Sequence, residues 1–197
     1  LTCVSAADGT GLIGFDTGPG NALLDDFMMS RFSVDCDRDG ALAATGSADQ
    51  TILARWMQHP YFQQTWPKSL DRQDFAGLLT TAEFRSLADA DAADAAATLT
   101  CFTAQTIAHA IGKLPVTPQS VFVAGGGRRN GTMMQYLAAI LPMPVITDPG
   151  DGFDADMLEA ELMAFLAARC HYRLPTSFPG TTGCRQPVSG GQIARAR

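Results

Sequence analysis

The length, composition and charge of this chain exclude several classes of protein. It has 197 residues, of which 46% are hydrophobic and 17% charged, and its formal net charge is −6. This composition is typical of a packed domain, or of one lobe of a larger two-lobed protein, and excludes a disordered chain. The acidic balance argues against a nucleic-acid partner, because phosphate neutralisation needs clustered Lys and Arg. No stretch reaches the roughly 18 apolar residues of a membrane span, so we expect no membrane partner.

The cysteines indicate reducing surroundings. Their number is odd, their spacing is wide and no Cys-x-x-Cys pair occurs among them: Cys3, Cys36, Cys101, Cys170 and Cys184. Disulfide frameworks and zinc sites use even numbers or close spacings, so we expect reduced thiols and a cytoplasmic location. The turn Asp37-Arg38-Asp39-Gly40 has the charges of a calcium loop, but the later ligands are missing. We therefore assign no residue as a metal ligand.

One stretch near the start places a carboxylate between a strand and a helix. Residues 12–15 are typical of a short buried strand, Gly18-Pro19-Gly20 ends it, and apolar residues recur at helical spacing from Asn21 onward. Asp16 therefore lies just ahead of a helix N-terminus, where free N–H groups and the helix dipole attract anions such as phosphate. The alternative is that Asp16 or Thr17 only caps the helix and that the glycines only form a turn.

The rest of the first half contains a second helix and a long irregular stretch. The chain opens on an apolar strand, Leu1 to Val4, and because a mature protein seldom begins inside such a strand we expect further residues upstream. A helix is predicted from about Asp49 to Gln58. The proline-rich stretch from His59 to Phe75 breaks the periodicity, and a loop of this size is usually functional or an interface. Its Trp66 and Tyr61 are as consistent with a subunit contact as with a substrate wall.

Helices and strands alternate in the second half. One long amphipathic helix is expected from Ala88 to Ile111, ended by Gly112 and Pro115. The predicted elements that follow are a strand over Val121–Ala124, a helix carrying Met133 to Leu141, a strand over Val145–Thr147 and a last helix from about Ala155 to Arg169. This alternation favours an α/β fold with parallel strand pairing.

The last helix carries two candidate glutamates. Its predicted buried stripe is apolar and consists of Leu158, Leu162, Phe165 and Leu166. Glu159 and Glu161 flank that stripe at about equal angles, taking roughly 100° per residue. Periodicity does not choose between the two, and a glutamate in such a place is most often part of a solvated edge.

The glycine triplet Gly125-Gly126-Gly127 follows a strand and precedes a helix. Such a turn can cradle a nucleotide, because bare backbone approaches phosphate or purine without a side chain in the way. A dinucleotide fold would use Gly125 and Gly127, with Asp148 holding a ribose, but Asn130 stands where the third glycine is expected. The other alternative is a tight strand-to-helix connection with no ligand.

These pieces resemble, in order and over nearly the whole chain, the anhydro-N-acetylmuramic acid kinase family. The matching stretches are GFDTGPGN (Gly14 to Asn21) with Asp25, ATLTCFTAQTIAHAI (Ala97 to Ile111), VFVAGGGRRN (Val121 to Asn130), ADMLEAELMAFLAAR (Ala155 to Arg169) and LPTSFPGTTGC (Leu174 to Cys184). The resemblance implies an RNase H-like ATPase fold of the actin, hexokinase and Hsp70 type. Residues 1–197 would be the C-terminal lobe of a two-lobed protein, with helices flanking a mixed sheet that lacks its first strand.

The resemblance also implies roles for individual residues. Asp16 would be the general base, and Glu159, not Glu161, matches the family glutamate and would contact sugar. The turn beside the transferred phosphate and the substrate would consist of Thr17, Gly18, Gly20 and Asn21. The nucleotide would lie against Gly125, Gly126, Gly127 and Asn130. ATP and Mg²⁺ are the implied cofactors, the sugar is the implied substrate, and the full-length protein is expected to be a homodimer.

The implied reaction opens the anhydro ring of the sugar with water while its 6-oxygen takes the γ-phosphoryl group of ATP. A carboxylate beside a helix N-terminus suits this chemistry, because it can accept a proton from water while Mg²⁺ and amides stabilise the phosphoryl charge. The chain departs from the family at Leu70-Asp71, where a threonine-glycine pair is usual. The family's N-terminal lobe is also absent, so we expect the chain alone to be inactive.

Two other functions remain open on the sequence. One is a dinucleotide-dependent oxidoreductase that uses Gly125, Gly127 and Asp148, which a nicotinamide titration set against an ATP titration would distinguish. The other is a noncatalytic lobe that keeps the kinase fold and serves as an interaction module. The sequence upstream of Leu1 would discriminate between that module and the enzyme.

Overall fold

The structure is a computed structural model that describes the backbone of residues 2–5 and, with side chains, residues 11–148, 150 and 154–194. In these ranges the strands are β1 (Thr2–Ser5), β2 (Leu12–Phe15), β3 (Val121–Phe122) and β4 (Val145–Ile146). The helices are α1 (Ala22–Phe32), α2 (Gln50–Trp56), α3 (Ala82–Ala90), α4 (Ala92–Gly112), α5 (Gly131–Ile140), α6 (Leu158–His171) and α7 (Pro179–Thr182). Leu1, with which the first predicted strand begins, lies outside the described residues.

The strands form two small sheets. β1 and β2 pair antiparallel, with Thr2 opposite Phe15, whereas β3 and β4 pair in parallel, with Val121 opposite Val145. The α/β class and the parallel pairing are therefore confirmed. The expected single mixed sheet is not observed, because within the described ranges the two strand pairs are not hydrogen-bonded to each other. The second pair is also short, with two residues in each strand, although the Val123 N–H still donates to the Ile146 carbonyl at 2.9 Å.

The predicted long helix is two helices, which is a correction to the expected continuous segment from Ala88 to Ile111. Asp91 adopts φ −150° and ψ 111°, which no helix accommodates, and its carboxylate accepts hydrogen bonds from the N–H groups of Ala93 and Asp94 at 2.8 and 3.2 Å. A side-chain oxygen that satisfies the first free N–H groups of a helix is the usual N-cap. The chain therefore turns at Asp91 and starts α4 afresh.

Helix α4 is the centre of the fold rather than an amphipathic surface helix. Alanines and threonines line it, and all residues from Ala95 to Ala104 are buried. The buried threonine hydroxyls are satisfied by carbonyls within the helix, as Thr98 is by Asp94 and Thr100 by Ala96 at 2.7 and 2.8 Å. At 21 residues α4 is the longest helix in the described ranges, and none there combines the length and apolarity needed to cross a bilayer.

An aromatic core packs on one side of α4. Four of its phenylalanines are at most 2% exposed: Phe62, Phe75, Phe84 and Phe102. Phe62 and Phe75 stack with ring centroids 5.6 Å apart, and Trp56 meets Phe102 at 5.2 Å. Both ends of the irregular stretch from His59 to Phe75 are thus anchored in the core, which leaves its middle to cover the end of β2.

Helix α6 differs from the others, because the expected buried stripe is exposed. Leu158, Leu162 and Phe165 are 38%, 49% and 55% exposed, and only Leu166 of the predicted stripe is half-buried. The periodicity is present, but none of the described residues of α6 is buried. The stripe was predicted as buried because apolar periodicity normally marks a packed face, and here no described element packs over it.

Candidate active site

Asp16 directly follows β2 and is held by the middle of the irregular stretch. Its backbone N–H donates to the carbonyl of Lys68 at 3.1 Å, and its Oδ2 accepts a hydrogen bond from the N–H of Leu70 at 2.9 Å. Among the described residues, no other hydrogen bond reaches the Asp16 carboxylate, so Oδ1 is left without a protein donor. The partner is a backbone amide, so leucine in place of the usual threonine at residue 70 does not remove this contact.

Tyr61 and Lys68 hold the backbone of Asp16 through hydrogen bonds. The Tyr61 hydroxyl donates to the backbone carbonyl of Asp16 at 2.5 Å. The Lys68 ammonium donates to the Tyr61 carbonyl at 3.0 Å and lies 4.1 Å from the centre of the Tyr61 ring. Burial raises the pKa of Tyr61 to about 12, aided by the charges of Asp16 and Asp74, so the phenol remains a hydrogen-bond donor. Burial also lowers the pKa of Lys68, with a smaller contribution from Lys113.

The turn after Asp16 packs tightly on α4. Thr17 is buried, and a methyl group added at Gly18 would lie 2.7 Å from the Cβ of Thr106. The Gly20 carbonyl accepts a hydrogen bond from the Thr103 hydroxyl at 2.6 Å. Gly20 itself has φ +60° and open space where a Cβ would be. The turn therefore has one side fixed to the core and one side free for a ligand.

The interpretation that Asp16 or Thr17 only caps α1 is wrong. The N-cap position of α1 is Asn21, whose carbonyl accepts from the N–H of Asp25 at 2.9 Å while its side chain makes no capping bond. In the first turn of the helix, burial raises the pKa of the Asp25 carboxyl against the opposing effect of Arg72. The side chains of Asp16 and Asn21 are thus both available for roles other than capping.

The glycine triplet forms the second turn of the site. Gly125 has φ +72°, and a Cβ added at Gly125 or Gly126 would have no atom within 4 Å. The backbone here is therefore open to a close-approaching ligand. A Cβ added at Gly127 would lie 3.0 Å from Met133 Cε and 3.8 Å from Asn21 Nδ2. The structure thus brings the turn that follows Asp16 and the glycine triplet side by side.

Asn130 has a structural task in this turn. It is 6% exposed, and its Oδ1 accepts from the N–H of Met133 at 2.9 Å, which makes it the N-cap of α5. A methyl group added at Gly40 would lie 2.9 Å from Asn130 Cγ, so the carboxamide is packed on both sides. The role of Asn130 at the nucleotide stays a prediction. Because Oδ1 already accepts from Met133, a ligand would have to contact atoms other than Oδ1.

Two arginines beside the triplet were missed by the sequence analysis. Arg128 Nη1 donates to the Gly125 carbonyl at 3.0 Å and to Asp156 Oδ1 at 2.8 Å, and Arg129 Nη2 donates to Asp156 Oδ2 at 2.9 Å. Hydrogen bonds from Arg128 and then Arg129 lower the pKa of Asp156. The adjacent arginines were visible in the sequence, but nothing there identified the carboxylate 28 residues later that fixes them.

Glu159 forms no hydrogen bond or ion pair with either turn in the described part of the chain. It lies exposed in the first turn of α6, three residues after Asp156, and among the described residues its carboxylate has no hydrogen bond or ion pair. Glu161 is exposed in the same turn, so the structure does not choose between them. In the described ranges, no three His, Cys, Asp or Glu side chains are grouped in a way that could hold a metal ion.

Asp148, the ribose ligand of the dinucleotide interpretation, is exposed and accepts a hydrogen bond from the N–H of Gly150 at 2.8 Å, within its own loop. The unit formed by β3, the triplet, α5 and β4 does have the parallel pairing that such a fold requires. The local geometry alone therefore admits either kind of nucleotide.

Comparison with known proteins resolves the family. A family model described as anhydro-N-acetylmuramic acid kinase matches residues 3–196. Proteins of that name from Rhodopseudomonas palustris strain CGA009, Nitrobacter winogradskyi and Mesorhizobium japonicum are 48%, 45% and 45% identical to the chain. The alignments cover 98%, 99% and 93% of the chain and 51%, 51% and 47% of the relatives. The chain thus spans about half the length of the curated relatives it matches.

Proposed function

Because this chain belongs to the anhydro-N-acetylmuramic acid kinase family, we propose that residues 1–197 form the C-terminal lobe of a two-lobed, ATP-dependent sugar kinase that serves peptidoglycan recycling. The proposed architecture is RNase H-like, as in actin, hexokinase and Hsp70. The observation that carries the proposal is the approach of Asn21 to Gly127. This approach places the turn that follows Asp16 next to the glycine triplet, whose backbone is open to a nucleotide.

In the proposed reaction Asp16 is the general base. It takes a proton from a water molecule whose oxygen bonds to the anomeric carbon of 1,6-anhydro-N-acetylmuramic acid. The bond from that carbon to the 6-oxygen breaks, and the 6-oxygen bonds to the γ-phosphorus of ATP as ADP leaves. The products are N-acetylmuramic acid 6-phosphate and ADP. Proton transfer by a positioned carboxylate and phosphoryl transfer to an oxygen are both established ways to lower such barriers.

The triplet has the properties that a nucleotide requires. Gly125 and Gly126 present open backbone, and Arg128 is held beside them. Thr17, Gly18 and Gly20 would line the transferred phosphate. Mg²⁺ in such sites is usually bound by one or two carboxylates together with phosphates, so the phosphates of ATP would supply most of its ligands. When bound, the metal would neutralise charge on the phosphates.

The remaining parts of the proposal concern the sugar, the assembly and the location. Glu159 is the proposed sugar contact, on the resemblance of its helix to the family motif. We propose a homodimer for the full-length protein, which sedimentation would check, and a cytoplasmic location, in agreement with cysteines that form no pairs by spacing.

The test of the proposed function is Asp16→Asn in the full-length protein. We expect turnover to fall by at least about 1,000-fold, since both base strength and charge are lost, while ATP affinity changes little. Asp26→Asn is the matched control, because Asp26 is half-buried on α1 and pairs with the exposed Arg72. Coupled detection of ADP and nucleotide titration provide the two readouts. Near-normal turnover of Asp16→Asn would contradict the base assignment, and sugar-dependent turnover by the 197-residue chain alone would contradict its proposed inactivity.

A further inference from the structure

Asp16, Tyr61 and Lys68 are joined in a closed triangle of hydrogen bonds. The Tyr61 hydroxyl donates to the Asp16 carbonyl at 2.5 Å, the Asp16 N–H donates to the Lys68 carbonyl at 3.1 Å, and the Lys68 ammonium donates to the Tyr61 carbonyl at 3.0 Å. Both backbone groups of Asp16 are therefore used. In addition, the Leu70 N–H donates a hydrogen bond to Oδ2 of the Asp16 carboxylate.

The triangle is anchored in the aromatic core. Tyr61 is 5% exposed, and its ring packs edge-on against Phe62 and Phe75 at 5.8 and 5.9 Å. The Lys68 ammonium covers the same ring at 4.1 Å, in the range of a cation–π contact. Asp16 directly follows a four-residue strand and is thus connected through Tyr61 to the buried aromatic core.

We propose that Tyr61 and Lys68 are positioning residues for Asp16 and that Oδ1 is the oxygen that acts as the base. This inference rests on the proposed function. Leu70 fixes the rotation of the carboxylate by holding Oδ2, and the triangle fixes the backbone from which the carboxylate projects. A group placed in this way keeps its geometry through the reaction, and displacements of about 1 Å at such a site can cost about 100-fold in rate.

The test uses Tyr61→Phe and Lys68→Met in the full-length protein. Each change removes a polar group of the triangle and keeps most of the side-chain volume. We expect kcat to fall about 10-fold for each, with the KM values for ATP and sugar within about twofold, because an interaction expressed in the transition state lowers kcat and kcat/KM together. Lys68→Arg retains a cation and several donors, and should regain most of the lost kcat.

Two variants serve as matched controls. Tyr136→Phe removes a hydroxyl from a half-buried tyrosine of the core, and Lys113→Met removes an ammonium that donates to the Phe62 carbonyl instead of supporting Asp16. Both should keep the kcat of the unaltered protein. Thermal unfolding of every variant shows whether a change in rate is accompanied by a change in stability.

The outcomes separate this inference from the proposed function. If Asp16→Asn is inactive but Tyr61→Phe and Lys68→Met keep full kcat, the positioning role is wrong and the base assignment stands. If Asp16→Asn is active, both are wrong. If the variants lose activity only through raised KM or a lowered melting temperature, their role is structural, and positioning is also overturned. With Asp16→Asn already present, Tyr61→Phe should lower residual turnover by less than about twofold, because coupled residues are not additive.

Discussion

Helices α1 and α6 carry the same kind of apolar stripe, but only one of them is packed. In α1 four residues of the stripe, Leu23, Leu24, Phe27 and Met28, are at most 6% exposed, and only Phe32 at the end of the helix is exposed, at 44%. In α6 the corresponding residues Leu158, Leu162 and Phe165 are 38% to 55% exposed. Periodicity therefore tells which face of a helix is apolar, and only the rest of the fold tells whether that face is covered.

The same contrast separates the two ends of the candidate site. The Asp16 end is held by the triangle, by Leu70 and by the threonines of α4. The Glu159 end lies on α6, which the exposed ion pair from Asp156 to Arg129 helps to connect to the triplet. Exposed ion pairs contribute little stability. The Asp16 end is thus held by buried contacts within this chain, whereas the Glu159 end is connected to the triplet through the ion pairs of Asp156 with Arg128 and Arg129.

Among the tests of this difference between the two ends of the site, the largest effect is expected at Gly18. Gly18→Ala places a methyl group against Thr106 and should displace the turn. In the full-length protein we expect turnover to fall about 100-fold through misplacement of the adjacent Asp16, and the free energy of unfolding to fall by about 1–3 kcal/mol. Gly77→Ala, where an added Cβ would meet no atom within 4 Å, is the control. Equal kinetics and equal urea unfolding for both variants would show that the turn is not held as described.

A smaller effect is expected from the ionisation of Tyr61. Its pKa is about 12 in the folded protein and 10.0 for an ordinary tyrosine. Between these values the unfolded chain loses the proton and the folded chain keeps it, so the stability that Tyr61 contributes is full below pH 10 and is lost as the pH rises through 12. The stability difference between the unaltered protein and Tyr61→Phe, from urea unfolding at a series of pH values, should shrink across this window. A constant difference would contradict the buried, hydrogen-bonded phenol.

The smallest effect is expected on α6. Leu162→Ala in the 197-residue chain should change the free energy of unfolding by less than about 0.5 kcal/mol. The matched variant in the packed helix, Leu23→Ala, should cost about 2–5 kcal/mol, because Leu23 is 2% exposed. Denaturant titrations of the two variants sharpen the comparison. A large cost at Leu162 in the isolated chain would mean that α6 is packed after all, and a larger cost in the full-length protein than in the chain would show that α6 gains a partner there.

The elements of the fold follow from the sequence where local rules suffice. The turn at Gly18-Pro19-Gly20 predicts the start of α1, and apolar periodicity predicts the helix from about Asp49, which caps α2 in the structure. The break at Asp91 was missed because alanine-rich periodicity continues through it, although an aspartate ahead of a helix is itself a capping signal. The burial of α6 was overestimated, since no pattern in a helix reveals whether a partner is present.

The candidate site was predictable only in part for a similar reason. The sequence predicts a turn after Asp16 and another at the glycine triplet, and Gly125 adopts a positive φ in the structure. The support of Asp16 comes from Tyr61, Lys68 and Leu70, which lie 45 to 54 residues away in sequence. Such contacts depend on where an irregular stretch folds back, and neither periodicity nor propensity determines that. The length and irregularity of the stretch indicate only that it is functional or an interface.

The seating of Gly18 and Gly20 on Thr106 and Thr103 has a consequence for motion. Helix α4 is 21 residues long and buried along its middle, so local unfolding there is costly. A displacement of the turn after Asp16 would have to break its contacts with Thr103 and Thr106 or carry α4 along. Any hinge that spares these contacts lies outside this turn, and Gly125 and Gly126, where an added Cβ would meet no atom within 4 Å, are the positions of the neighbouring turn with open backbone.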